Sequence, residues 1–121
     1  MTPAIFFSLI VADADALAAL GSNPVRFYEI EAPEGTATPY ATWQVVTGNP
    51  INVLDGPAPA DHVRVQLNIV GATPDETRDT LAAIRRAVEN DCYLTAWRGV
   101  SKDPETGLFL AGFDTQHIID N

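Results

Sequence analysis

PYATWQVV, residues 39–46, is the stretch of sequence that decides the fold. It begins with proline, which a strand accepts at its first position, and continues with aromatic and β-branched residues that suit a pleated, half-buried surface. The segments on either side, APEG at residues 32–35 and LDGP at residues 54–57, are rich in turn-forming residues. Together these patterns predict a β-strand held between two loops.

A strand is predicted before this stretch and another after it. Residues 25–31 alternate so that Val25 and Phe27 share one face, and residues 62–69 alternate between polar and apolar side chains throughout. Residues 48–61, before the third strand, contain three prolines and two glycines, which predicts a long connecting loop. Because loops of this length often carry function, these residues are candidates for a binding surface.

The N-terminal segment predicts a broken helix or two short helices. Thr2 is placed to cap the first one, and Pro3 suits its first turn. Asp13 is placed to cap the second one, and Gly21 to end it. The apolar stripe of the first helix consists of Ile5, Phe6, Leu9 and Ile10.

The strongest helix signal begins at Thr73. Thr73 is a threonine cap, Pro74 occupies the first helical position, and Glu76 lies three residues after the threonine, where it completes a capping box. The apolar stripe that follows consists of Leu81, Ile84, Ala87 and Val88. We therefore expect an amphipathic helix from this cap to about Glu89.

A final pair of strands is predicted over residues 92–98 and 108–119, joined by the turn-rich segment 103–107. The order of elements is therefore helix, three strands, helix, two strands. This order predicts an α+β fold, with a mainly antiparallel sheet and the helices packed on one face. A chain of 121 residues has the size of one domain, so we expect a single domain over residues 1–121.

The charge of the chain bears on its partners. Sixteen acidic and seven basic residues give a formal net charge of −9. Tight binding to nucleic acid is disfavoured, because phosphate contacts need Lys and Arg. Such a charge suits a protein that DNA must pass without sticking, and it equally keeps an ordinary protein soluble. The apolar run at residues 4–12 is too short to span a membrane, and no basic residue precedes Arg26 as a secretory signal requires, so we expect a protein made in the cytoplasm.

Residues that could carry catalysis are few. His62 and His117 are the only histidines, and their spacing from Asp61 and Asp114 places each carboxylate on the opposite face of a predicted strand. The single cysteine, Cys92, cannot form an internal disulfide or build a zinc site alone, and we expect it to be a small apolar residue in a strand. No glycine-rich phosphate loop is present. We therefore predict no catalytic residue, no metal site and no cofactor.

The aromatic residues of the central stretch point to a contact surface. Tyr40 and Trp43 lie three residues apart, which places them on opposite faces of a strand and denies them a common ligand site. One is expected to pack into the core, and the other to contact another protein. The spacing leaves open which residue does which.

In the order and spacing of its motifs, the chain resembles the small tail-completion, or tail-terminator, proteins of long-tailed bacteriophages. The resemblance covers most of the chain, and no single motif is specific. The stretches that carry it are AALG at 18–21, RFY at 26–28, APEG at 32–35, PY at 39–40, LDG at 54–56, the strand at 63–69 and the capped helix at 73–89.

This resemblance implies a structural protein of the virion without catalysis of its own. It implies a ring, of six subunits, that sits on the last ring of the tail-tube protein, halts tube growth and offers a surface to a head-completion or connector protein, while genome DNA passes through without specific binding. Ring closure needs two different patches on each subunit, and a strand edge and the segment 48–61 are the sensible places for them. The predicted interface residues are Tyr40, Trp43, Ile51, Val53, Leu54 and Arg64.

Two alternatives remain open at the level of sequence. A head-closure or other connector protein of the same particle would share fold and composition, and the two roles differ in phenotype, because loss of a terminator leaves abnormally long tails. A small-ligand-binding domain, or an enzyme that uses His62 or His117, would instead need a closed pocket with perturbed titrating groups.

Overall fold

The computed structural model describes residues 5–21 and 24–120; the predicted cap Thr2 and Pro3 lie outside this part of the chain. The elements are α1 (Ile5–Ala12), α2 (Ala14–Leu20), β1 (Phe27–Glu29), β2 (Tyr40–Val53), β3 (Gly56–Gly71), α3 (Pro74–Val88), a 3₁₀ turn (Glu89–Asp91), β4 (Tyr93–Lys102) and β5 (Phe109–Asp120). The N-terminal helical segment is therefore broken into two helices, as its sequence indicated. The break lies at Asp13, whose carboxylate accepts a hydrogen bond of 2.9 Å from the backbone N–H of Ala16.

The five strands form one sheet in the order β1-β2-β3-β5-β4. β1 lies parallel to β2, and the other neighbours are antiparallel. This arrangement confirms the α+β fold with a mainly antiparallel sheet. β1 is shorter than the predicted strand over residues 25–31, because Ile30 has a φ of 70°, a left-handed conformation that does not continue a strand.

The core lies between the helices and one face of the sheet. Trp43, Leu67 and Phe113 are aligned across β2, β3 and β5 on this face, and none is more than 8% exposed. Phe6 of α1 packs on Trp43 with ring centroids 6.3 Å apart, and Ile84 of α3 is fully buried in the same cluster. The helices thus cover one face, and the polar alternate residues of the strands occupy the other, which we call the open face.

The cap of α3 follows its sequence signal. The hydroxyl of Thr73 accepts a hydrogen bond of 3.1 Å from the backbone N–H of Glu76. The Glu76 carboxylate in turn accepts from the backbone N–H of Ala72 at 2.6 Å, one residue before the position that a standard capping box uses. Both bonds satisfy N–H groups at or just before the start of the helix and fix where α3 leaves the end of β3.

The long loop predicted over residues 48–61 is wrong. These residues belong to a continuous hairpin, in which β2 and β3 are joined by a two-residue turn at Leu54 and Asp55. Pro50 is tolerated because β1 pairs with β2 only at residues 41–43, so that the rest of β2 is an edge, and Pro57 and Pro59 lie in β3 before Ala60, where its pairing with β5 begins. On an edge strand, a proline whose missing N–H would point away from the partner removes no ladder hydrogen bond.

Candidate interaction surface

The distal part of the β2–β3 hairpin extends beyond the rest of the sheet. We call residues 45–59 the hairpin arm. β3 pairs with β5 only from Ala60 to Gly71, and β1 pairs with β2 only as far as Trp43. Residues 45–51 pair with residues 60–65 of β3, which β5 also flanks, so in the described chain only the end of the arm, around the turn at Leu54 and Asp55, projects beyond the neighbouring strands. Two-stranded ribbons are marginally stable by themselves in water, so this one depends on its continuity with the sheet or on a partner.

The arm exposes apolar side chains along its length. Val45, Val46 and Val53 are 41–48% exposed, and Leu54, at the turn, is completely exposed. Ile51 is half-buried. Register shifts at Val46 and next to Ile51 bulge the ribbon, which adds local twist. Apolar groups that no core covers are typical of a surface that another protein covers.

Tyr40 and Trp43 lie on opposite faces of the sheet, as their spacing indicates. Trp43 faces the helices and is buried, in contact with Phe6. Tyr40 lies at the start of β2 on the open face, opposite Val70, and is half-buried. Trp43 is therefore a core residue of the protomer, and of the two only Tyr40 has surface to offer a partner.

A hydrogen-bonded network on the open face contains Arg64. Its guanidinium donates to the carboxylate of Asp114 on β5 at 3.2 Å, and Arg98 on β4 donates to the other oxygen of that carboxylate at 2.6 Å. Arg98 also reaches β3, where it donates to the backbone carbonyl of Leu67 and to the side-chain oxygen of Asn68, both at 3.0 Å. Asp114 is thus shared by two arginines, and the network ties β3, β5 and β4 together across the sheet.

Gly112 makes room for this network. A Cβ at Gly112 would collide with the backbone oxygen of Leu67 and with the Arg98 guanidinium. The Arg98 side chain therefore lies over a position where the sheet has no side chain, and this close approach explains the glycine. Arg98 is fully engaged, whereas Arg64 keeps nearly half of its side chain exposed and remains available to a partner.

The two histidines lie on opposite faces of the sheet, near the end of β5. His62 is within 3.4 Å of the Gln116 amide on the open face. His117 points toward the helices, where its ring meets that of Phe6 edge-on at 5.0 Å and its Nε2 lies 2.9 Å from the hydroxyl of Thr115. Burial lowers the pKa of the His117 imidazole below its usual range.

A depression of about 340 Å³ lies beside the histidines. Two of its lining residues, Tyr93 and Ile118, are themselves 82% and 64% exposed, so it is not the closed pocket that a small-ligand site would need. Among residues 5–21 and 24–120, no group of His, Cys, Asp or Glu is arranged to hold a metal ion. No helix in the same ranges is long and apolar enough to cross a membrane.

β4 carries two exposed aromatic residues that the sequence reasoning missed. Tyr93 is 82% exposed, and Trp97 is 68% exposed. A register shift between Leu94 and Ala96 breaks the simple alternation of this strand, so the direction of Trp97 could not be read from spacing. The sequence contains one sign that this strand differs from the rest of the surface: residues 92–102 contain no acidic residue, although the chain is strongly acidic.

Comparison with known proteins identifies the class and the family. The profile of the family described as Tail completion protein gp17 matches residues 6–120, nearly the whole chain. The protein is therefore a structural protein of bacteriophage tails, as its motifs suggested. More specifically, the chain belongs to the tail completion protein gp17 family.

A solved structure has the same fold. It comes from the virion of a native gene transfer agent particle and superposes with a TM-score of 0.71 at 12% sequence identity, covering 96% of this chain and 92% of that one. At this identity the similarity concerns the fold alone. No curated protein matches the chain.

Proposed function

We propose that this protein caps the last ring of the phage tail tube, terminates tail polymerisation and forms the surface to which the head is joined. The observation that carries the proposal is the exposed hairpin arm in a chain of the tail-completion family. The arm presents Val53 and Leu54 on a ribbon that the protomer itself does not cover. A protein that must recognise a finished tube end needs such a preformed contact surface.

The proposed assembly is a closed ring of six copies, located at the tail or neck of the virion. A ring with one subunit per position uses a heterologous interface, so that each subunit offers two different patches. The arm supplies one of them, with Arg64 and Tyr40 closer to the body of the protomer. The residues that we propose for contacts with a neighbouring copy, the tail-tube protein or the head connector are Tyr40, Ile51, Val53, Leu54 and Arg64. Trp43 is omitted because it is buried in the protomer.

The charge supports a passive role toward the genome. With a net charge of −9 per copy, a ring of six would carry a large negative charge. Such a ring repels the phosphate backbone at the distances over which charges act in salt, so DNA would move through it without specific binding. We further propose that the protein has a structural role without a catalytic step of its own, after synthesis in the host cytoplasm.

Tail length tests the proposal directly. We expect phage particles that lack the protein, or that carry Leu54→Glu, to assemble abnormally long tails without heads when viewed by electron microscopy. The substituted carboxylate would have to be desolvated in the contact, which disfavours binding. Ile30→Glu is the matched control, because Ile30 is also a well-exposed apolar residue but lies on the opposite side of β2 from β3.

The phenotypes separate the two structural roles. Tails of normal length in the absence of the protein, together with heads that lose DNA, would contradict termination and would support a head-closure role. Long tails with Leu54→Glu and normal tails with Ile30→Glu would support both the function and the participation of the arm.

A further inference from the structure

The outer edge of β4 is an unprotected strand edge. In the described chain, β4 pairs with β5 on one side and forms the end of the sheet on the other, over ten residues. The opposite edge, β1, is three residues long. Its last residue, Glu29, and the nearby Glu31 are both exposed. Short strands and charges are the usual means of blocking an edge, and β1 uses both. β4 is ten residues long, and its two charged residues are Arg98, which is held by Asp114, and Lys102 at its last position, so most of its outer edge remains open to another strand.

Exposed aromatic side chains accompany this edge. Tyr93 is 82% exposed and Trp97 is 68% exposed. The Trp97 ring lies along the strand, because a Cβ placed on Gly99 would be 3.8 Å from it. Trp and Tyr are the residue types that most often dominate the energy of a protein interface. Their large apolar surfaces in water favour an occupant over bare solvent.

Charge selects the occupant. β4 contains two basic residues and no acidic one, although the chain has a net charge of −9; Asp114 neutralises Arg98, which leaves Lys102 for a partner. The hairpin arm contains one acidic residue, Asp55, and no basic one. The arm is also an extended ribbon with exposed Val and Leu side chains. It therefore complements β4 in shape and apolar character, and the charge of Asp55 is opposite to that of Lys102.

We propose that the outer edge of β4, with Trp97 and Tyr93, is the docking site for the hairpin arm of a second copy of this chain. The inference rests on the ring proposed above and names its two complementary patches. Each subunit donates its arm to one neighbour and accepts an arm from the other. Because the donating and accepting surfaces differ, the contact propagates around a ring rather than stopping at a dimer.

Chemical crosslinking in assembled tails tests this contact. The background carries Cys92→Ala, and the test variant adds Leu54→Cys on the arm and Thr95→Cys on β4, both at exposed positions. Treatment with a short, flexible bis-maleimide should give a ladder of covalent multimers on a denaturing gel. The control pair, Leu54→Cys with Ile30→Cys, probes the β1 edge and should give monomers only, as should each single-cysteine variant.

A second variant measures the contribution of the aromatic residue. Trp97→Glu, added to the crosslinkable pair, should reduce the ladder at least tenfold, while Ile30→Glu should leave it unchanged. Circular dichroism of the purified variants checks that both fold, which we expect because both positions are well exposed.

The outcomes distinguish this inference from the proposed function. Tails of normal length without a ladder, with a ladder through Ile30→Cys, or with the arm crosslinked to the tail-tube protein instead would overturn the docking site and leave termination intact. Abnormal tail length on deletion tests termination separately and does not depend on any crosslink.

Discussion

The two ends of the β2–β3 hairpin are built from the same pair of strands and behave differently. At the base, Trp43 and Leu67 face each other beneath the helices and are nearly or fully buried. In the arm, Val45 and Val53 have similar β-forming side chains but are 48% and 44% exposed. The backbone pairing is continuous, and β5 still flanks β3 opposite Val45, so the difference comes from the helices, which cover Trp43 and Leu67. The base therefore carries the stability of the fold, and the arm is free to serve assembly.

The largest expected effect is the difference in stability between Leu→Ala substitutions at the two ends of the hairpin. Leu67→Ala, in the base, removes a fully buried side chain and should lower the free energy of unfolding by about 2–5 kcal/mol. Leu54→Ala, in the arm, removes a fully exposed one and should change it by less than about 0.5 kcal/mol. Urea unfolding followed by circular dichroism measures both. Equal losses would mean that the arm packs on the protomer, contrary to the comparison.

The base could be predicted from the sequence, and the arm could not. The alternation of Val63, Val65, Leu67 and Ile69 with polar residues marks a strand with one buried face, and burial of this face imposes that period. No core imposes a period on the arm. Its prolines and glycines therefore resemble those of a loop, and the strands tolerate the prolines because β1 pairs with β2 only at residues 41–43 and β5 pairs with β3 only from Ala60.

The exposed apolar residues of the arm could be predicted in part for the same reason. Leu54 and Val53 stand out as apolar residues in a turn-rich stretch, whatever the backbone does there. The burial of Trp43 depends on α1 supplying Phe6, and the exposure of Trp97 depends on its place in the edge strand β4, where it lies opposite the buried Phe113 but is not itself covered. Both are decided by tertiary contacts, which residue spacing does not encode.

Alanine substitutions of two glycines, one beside the base and one in the arm, should change the stability of the protein in opposite directions. Gly112→Ala, beside the base, puts a methyl group against the backbone oxygen of Leu67 and under Arg98, so it should destabilise the protein by about 1–3 kcal/mol. Gly48→Ala, in the arm, meets nothing closer than a backbone oxygen at 3.8 Å. It should stabilise by about 0.4–1 kcal/mol, because alanine has less freedom in the unfolded chain. Thermal unfolding of the two variants should therefore shift in opposite directions, and a stable Gly112→Ala would show that the β3 backbone at Leu67 and the Arg98 side chain can both shift without cost.

Acidification should affect the base through His117. Its pKa is lowered in the folded state by burial, so below the ordinary value of about 6.5 the unfolded chain binds the proton more readily than the folded one. The neutral ring therefore makes its full contribution to the free energy of unfolding above pH ~6.5. This contribution is lost as the pH falls from there toward the lowered pKa of the folded state. His117→Gln should make the melting temperature less dependent on pH across this range, and His62→Gln should leave the dependence in place. An unchanged profile in His117→Gln would assign the acid sensitivity to other groups.

The smallest expected effect concerns thiol reactivity. It compares the half-buried Cys92 with a cysteine in the arm, without disturbing the fold. Burial, with the negative charges of Asp91 and Glu89, raises the pKa of the Cys92 thiol to about 11, and its Sγ lies 3.2 Å from the carbonyl oxygen of Val88. At neutral pH this shift reduces the thiolate fraction by roughly a hundredfold, which the greater nucleophilicity of a high-pKa thiolate offsets to roughly tenfold. Cys92 in the otherwise unchanged protein should therefore react with a maleimide at least about tenfold more slowly than a cysteine at the arm turn, introduced as Leu54→Cys with Cys92→Ala. Comparable rates would mean that Cys92 is reached by solvent through opening of the segment between α3 and β4, and hydrogen exchange of that segment would then be fast as well.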